Sequence, residues 1–127
     1  RLFGVSGISG EMDMLEQSGS PQAKDACELF IYRINREVGS MAAALGGVDS
    51  IVFTGGIGEH SARTRAGVCQ GADWLGARLD KEANEAQLKS DCCRINAPGS
   101  RLGLFVMPTD EESVIARDGR GLLKIAE

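Results

Sequence analysis

Between Ser50 and His60 the chain reads SIVFTGGIGEH, and this stretch limits the possible folds more than any other. Ile51, Val52 and Phe53 are β-branched or aromatic and carry no charge, the pattern of a strand buried on both faces. Such strands belong to α/β architectures, where helices cover the sheet. Three glycines then occupy four positions, Gly55, Gly56 and Gly58. Glycine tolerates backbone angles closed to other residues and lets other groups approach the main chain. The sequence therefore predicts a glycine-rich turn, followed by a helix over Ser61 to Ala72 that Gly67 weakens. Strand, turn and helix N-terminus together can present backbone N–H groups to a phosphate or nucleotide. No Gly-Lys-Ser/Thr follows, so this is not a Walker A loop, and Ser61 stands where a dinucleotide fingerprint needs its third glycine. On these residues alone a plain tight turn and a nucleotide site are equally open.

Elsewhere the pattern is helical and stranded in alternation. Pro21 to Leu45 places Ala23, Cys27, Phe30, Ile34, Val38, Met41 and Leu45 at steps of three and four, which predicts one core-facing stripe. Gly46-Gly47 ends that helix. Its small-residue run Ser40 to Leu45 allows close approach by a neighbouring element. Upstream, Ser9 is placed to cap a short helix over Glu11 to Gln17. Downstream, Trp74 and Leu75 are expected to fold back onto the core. Asp80 caps a helix from Lys81 to about Leu88, and Cys92 to Ile95 forms a short edge strand. Leu102 to Met107 is a second buried strand, closed by Pro108. A helix from Thr109 to about Asp118 follows, stopped by Gly119 and Gly121. Strands separated by helices imply parallel neighbours with right-handed crossovers. Two such strands make a poor sheet, and the chain opens on Arg1 rather than Met. Both points lead to the expectation of a piece of a larger α/β protein whose N-terminal part is absent.

The remaining composition mainly excludes. A net charge of −4 over 127 residues, with no basic stripe, argues against nucleic acid as a partner. No apolar run reaches membrane-spanning length, so no membrane partner is expected, and no signal peptide is read. The four cysteines, Cys27, Cys69, Cys92 and Cys93, form no C-x-x-C pair, and a single histidine is available. A structural zinc is therefore not expected. Cys27 and Cys69 fall on apolar helical positions as small core residues, and free thiols suit a cytoplasmic location.

The acidic run Thr109-Asp110-Glu111-Glu112 has the spacing of a capping box, Thr109 with Glu112. Asp110 and Glu111 then carry no structural duty beyond favourable charge at a helix start. Ligands bind at the carboxyl ends of parallel strands. Glu111 is thus a candidate to sit beside Gly55–Gly58 and hold Mg²⁺ against nucleotide phosphates.

Taken together, Val52-Phe53-Thr54-Gly55-Gly56-Ile57-Gly58-Glu59, Leu75-Gly76, Leu79-Asp80 and Pro108-Thr109-Asp110-Glu111-Glu112 resemble the C-terminal portion of acetate kinases, the acetokinase family. Gly4-Val5-Ser6-Gly7-Ile8-Ser9 and Ala42 to Asp49 match the same pattern, so the likeness runs along nearly the whole chain. The resemblance implies an actin, hexokinase and Hsp70-like (ribonuclease H-like) ATPase fold: an α/β domain of parallel strands flanked by helices. It implies that residues 1–127 form one C-terminal nucleotide-binding portion. It also implies transfer of the γ-phosphoryl of ATP to acetate, giving acetyl phosphate and ADP with Mg²⁺, in a cytoplasmic homodimer. By that resemblance Gly56, Ile57, Gly58, Glu59 and His60 hold the adenosine part of the nucleotide. Glu11, Met12 and Asp13 form a second nucleotide-contacting segment, and Glu111 is the magnesium position.

Some residues depart from the family pattern. Gly10-Glu11-Met12-Asp13 stands where Ser-Asp-x-Arg is usual, so Asp13 reverses a charge near a polyanion and cannot donate as a guanidinium does. His60 and Asp110 each replace an asparagine. His60 is read as a solvent-edge residue lining the adenosine site rather than as a catalytic base. The acid pocket and the catalytic arginines and histidine of the family map to none of these residues, so the isolated chain is expected to be inactive and no catalytic residue is assigned to it. A propionate or butyrate kinase is an alternative, since the acid pocket lies elsewhere. A non-catalytic dimerising or nucleotide-sensing remnant is another, motivated by Asp13. A Rossmann dehydrogenase is disfavoured by the missing third glycine.

Overall fold

The computed structural model describes residues 19–86, 92–107 and 122–125. The first described element, α1 (Pro21–Leu45), begins and ends as its sequence dictates. Ser20 is the N-cap, its Oγ accepting from the Ala23 N–H at 3.1 Å, and Pro21 follows where its missing N–H costs nothing. Gly46, at φ +74°, ends the helix in a left-handed cap, its N–H donating to the last carbonyls. Ala23, Cys27, Phe30, Ile34, Val38 and Ala42 are buried. Met41 and Leu45, expected on the same stripe, are 43% and 47% exposed. Spacing of three and four only approximates 3.6 residues per turn, and in the last turns the buried stripe moves onto Ala42.

β1 (Ser50–Phe53) is one of the two interior strands of a four-stranded sheet of order β2-β3-β1-β4. The others are β2 (Cys93–Arg94), β3 (Gly103–Val106) and β4 (Leu122–Ile125). β1 pairs in parallel with β3, Ile51 opposite Leu104 and Phe53 opposite Val106, and in parallel with β4, Phe53 opposite Ile125. The parallel pairing expected of the two buried strands is therefore present. Ile51 and Phe53 are wholly buried and Val52 nearly so, as a strand with partners on both sides requires. β2 runs antiparallel to β3 at the edge, with the Arg94 guanidinium 4.9 Å from the Phe105 ring centre. β4 was not expected. Its four residues follow glycines that signal a stop, and so short a segment carries no readable period.

Between β1 and β3 the chain forms α2 (Gly55–His60), α3 (Ala62–Gly71), a 3₁₀ turn (Asp73–Leu75) and α4 (Lys81–Glu85). α3 packs on α1, and its glycines set the approach. A Cβ on Gly67 would lie 2.8 Å from Ile31 Cδ1, and one on Gly71 would lie 2.2 Å from Asn35 Nδ2. Gly67 weakens the helix but permits this contact, which also carries a 3.4 Å bond from Asn35 Nδ2 to the Gly67 carbonyl. The close approach that these glycines permit falls at the middle of α1.

Trp74 does not fold onto the core. It is 66% exposed, whereas Leu75 packs against the core as expected. Adjacent side chains in a 3₁₀ turn point about 120° apart, so the turn that turns Leu75 inward turns Trp74 outward. Asp80 caps α4 as expected, accepting from the Ala83 N–H at 3.1 Å. α4 ends at Glu85, earlier than Leu88, where Ala86 becomes extended. Cys27 and Cys69 are buried thiols. Among the described residues no helix is long and apolar enough to cross a membrane. The helices expected over Glu11–Gln17 and Thr109–Asp118 lie outside the described residues.

Candidate functional site

The glycine stretch is a short helix rather than a turn. Thr54 is still extended at φ −149°. Gly55 adopts φ +79°, an angle that favours glycine, and the chain bends there from strand into helix. From Gly55 to His60 it is α2. Only Gly55 uses positive φ within this stretch, so density of glycine alone misled the expectation of a turn.

Helical glycine is disfavoured by about 1 kcal/mol relative to alanine, so a helix this short and glycine-rich depends on support from outside it. Two devices at its far end supply that support. Ser61 closes α2 and opens α3: its N–H donates to the Ile57 carbonyl at 2.9 Å, and its Oγ accepts from the Thr64 N–H at 3.1 Å. The same hydroxyl donates to Thr64 Oγ1 at 2.8 Å.

The second device is Arg65, on α3 and 2% exposed. Its Nη1 donates to the carbonyls of Gly58 and Glu59, both at 2.9 Å. These belong to the last turn of α2, whose carbonyls lack intrahelical partners and where a cation is favourable. The opposite edge of the guanidinium faces α4. Nε donates to Asn84 Oδ1 and Nη2 to the Asn84 carbonyl, each at 2.7 Å. Asn84 is 2% exposed and donates through Nδ2 to the Ala62 carbonyl at 2.9 Å. One buried side chain thereby ties α2, α3 and α4 together. Burial pushes the neighbouring Cys69 thiol up to about 12, against the pull of the Arg65 charge.

The five residues expected on the adenosine segment lie side by side in α2. Ile57 and Gly58 are buried, Gly56 and Glu59 half-buried, and His60 exposed. Thr54, just before them, is 1% exposed, and its Oγ1 has no hydrogen-bond partner among the described residues. The parallel register brings the carboxyl ends of β1, β3 and β4 to one edge of the sheet, so α2 starts where α/β proteins bind ligands. β3 ends on the same edge, next to Met107, whose N–H donates to the Phe53 carbonyl at 3.0 Å. Glu11, Met12, Asp13 and Glu111, and the Thr109–Glu112 capping box, lie outside the described residues. Among the described residues no group of three or more His, Cys, Asp or Glu side chains converges as a metal site. A separate open depression of about 540 Å³, lined by Ala66, Cys69, Gln70, Asp73, Ala77, Arg78 and Leu79, shares no residue with α2.

Arg65 and Asn84 were not singled out in the sequence. A signal existed for Asn84: asparagine is a poor helix-interior residue, and its position about one turn after the capping Asp80 gives it no capping role of its own. Nothing in the spacing around Arg65 distinguishes it from a solvated helix arginine.

Comparison with known proteins agrees with this architecture. The sequence model of the Acetokinase family matches residues 1–117. An acetate kinase of Rhodopseudomonas palustris (strain TIE-1) is 56% identical over 116 residues, covering 91% of this chain and 29% of the relative. The crystal structure of Porphyromonas gingivalis acetate kinase superposes with a TM-score of 0.71 at 39% identity, over 90% of this chain and 30% of that one. A propionate kinase from Francisella tularensis superposes with a TM-score of 0.66 at 32% identity, over 94% of this chain and 31% of that one. The chain thus spans about three tenths of the length of the relatives it matches. The α/β fold expected from the sequence, part of an actin, hexokinase and Hsp70-like ATPase domain, is the fold observed.

Proposed function

Because the chain belongs to the acetokinase family, we propose that it is the C-terminal nucleotide-binding portion of an acetate kinase. The whole enzyme transfers the γ-phosphoryl of ATP to acetate, giving acetyl phosphate and ADP, and the isolated chain is inactive. The observation that carries the reading is the family match over residues 1–117, which includes the glycine helix at the carboxyl end of a parallel strand.

In this reading Gly56, Ile57, Gly58, Glu59 and His60 line the adenosine part of the nucleotide. Half-buried Gly56 leaves its part of the helix surface free of a side chain, so a flat base and ribose can lie against main chain. Ile57, anchored in the core, holds that surface still, and exposed His60 borders it. Glu11, Met12 and Asp13 form the second contacting segment, with Asp13 lowering affinity for the polyphosphate relative to an arginine there. Mg²⁺, bound with the nucleotide, supplies positive charge against the phosphates, and Glu111 is the residue of this chain suited to hold it. Phosphoryl transfer rests on positioning and charge neutralisation. This portion provides the nucleotide's position, and the carboxylate acceptor binds elsewhere in the protein. A cytoplasmic homodimer is part of the same reading.

The test is ATP-dependent formation of acetyl phosphate by the full-length protein carrying this chain, with acetate, propionate and butyrate compared as acceptors. Activity is expected with acetate and absent from the isolated chain. Failure to bind Mg-ATP or to phosphorylate any short carboxylate would overturn the reading. Preference for propionate would move the assignment to the second reading, propionate kinase, which the Francisella neighbour favours.

A further inference from the structure

We propose that Arg65, held by Asn84, is the positioning residue of the nucleotide ledge: it sets the location of α2, and through α2 the affinity for nucleotide, without touching the nucleotide itself. The inference rests on the reading of α2 as the adenosine segment.

The geometry carries the argument. All three guanidinium nitrogens are engaged, and among the described residues their bonds reach two other elements. Nη1 bridges the consecutive carbonyls of Gly58 and Glu59, while Nε and Nη2 grip the side-chain and main-chain oxygens of Asn84. A planar fork with donors on two edges fixes both partners relative to itself, which the single ammonium of lysine cannot do. Arg65 and Asn84 are each 2% exposed, so water has little access to replace a lost bond, and each loss is felt in full. Asn84 is in turn fixed through Nδ2 on the Ala62 carbonyl. The position of the glycine helix is thus referred to α3 and α4, with Ile57 as its one side chain in the core. A surface that recognises a ligand through its main chain loses affinity when that main chain moves by a fraction of an ångström or more.

The experiment is steady-state kinetics on the full-length protein and its variants Arg65→Lys, Asn84→Ala and the double variant, with folding checked by circular dichroism. Arg65→Lys is expected to raise KM for ATP about tenfold, equivalent to about 1.4 kcal/mol. KM for acetate and kcat at saturating ATP should stay within about twofold. Asn84→Ala keeps the main-chain acceptor and should raise KM for ATP about threefold. The double variant should be no more than about twofold worse than Arg65→Lys, because both changes break one link. Folded variants whose two KM values are unchanged, or rise in parallel, would overturn the proposal. If Arg65→Lys does not fold, Asn84→Ala decides alone. If neither folds, the pair serves folding and the proposal fails. Wild-type protein without ATP-dependent activity would instead sink the nucleotide reading, an outcome distinct from normal activity that is indifferent to Arg65.

Discussion

α1 and α2 are both helices against the same sheet, yet they are held in opposite ways. α1 buries six side chains along 25 residues, and its position follows from apolar surface removed from water. α2 has six residues, three of them glycine, and only Ile57 inserts into the core. It is located by bonds to its carbonyls, from Arg65 and from the Ser61 N–H. Stability is concentrated in the first arrangement, and the backbone proposed to face the nucleotide lies in the second. Side chains that would anchor α2 more firmly would also cover the main chain that the proposed site exposes.

Substitutions can break this contrast. The largest effect is expected from Ile34→Ala, at a position 1% exposed in the α1 stripe. Loss of the side chain and the cavity left behind should cost about 3 kcal/mol in denaturant unfolding, with KM for ATP unchanged. A large KM effect would show that the two regions are not separable. Gly67→Val comes next. It gains helix propensity but drives a branched side chain into Ile31, whose Cδ1 and Cγ2 lie 2.8 and 2.9 Å from the added Cβ. A net loss of about 2 kcal/mol is expected, and a gain would mean that α1 and α3 separate easily.

Cys69 tests burial beside the Arg65 network. Its thiol is raised from 9.0 to about 12 by burial. Above pH 9 the unfolded chain releases this proton and the folded chain keeps it. The contribution is therefore fully present below pH 9 and is lost as pH rises toward 12, at up to about 1.4 kcal/mol per pH unit. Unfolding of wild type and Cys69→Ala at pH 8 and pH 10 should show the steeper decline in wild type, and equal declines would refute the buried thiol. The smallest effect is expected at Trp74→Ala, where a side chain 66% exposed should change stability by no more than about 0.5 kcal/mol, while the fluorescence of this chain's single tryptophan is lost.

Much of this arrangement was legible in the residues. The α1 span, its glycine stop, β1, β3 and the Asp80 cap all follow from local rules: periodicity, capping chemistry and uninterrupted apolar runs. The location of the candidate site was legible too, because glycines after a buried strand mark the carboxyl end of a parallel sheet. Its conformation was not. Whether Gly55-Gly56-Ile57-Gly58 turns or coils into a helix depends on Arg65 and Ser61 meeting its carbonyls, and such side-chain-to-main-chain bonds leave no periodic trace. Trp74 and Met41 failed for a related reason. Hydrophobicity marks which residues can be buried, and only the packed neighbours decide which are. β4 was invisible because a four-residue edge strand is specified by its partner β1.

That partnership bears on how the protein is made. β1 is synthesised before both strands that flank it, since β3 and β4 begin about 50 and 70 residues after its last residue. At 5–20 residues per second, roughly 3 to 14 s pass before the second flank exists. Through that interval Ile51, Val52 and Phe53 are an unpaired apolar edge on a nascent polypeptide. Early docking of α1, complete before β1 is synthesised, gives that edge one sheltered face while it waits.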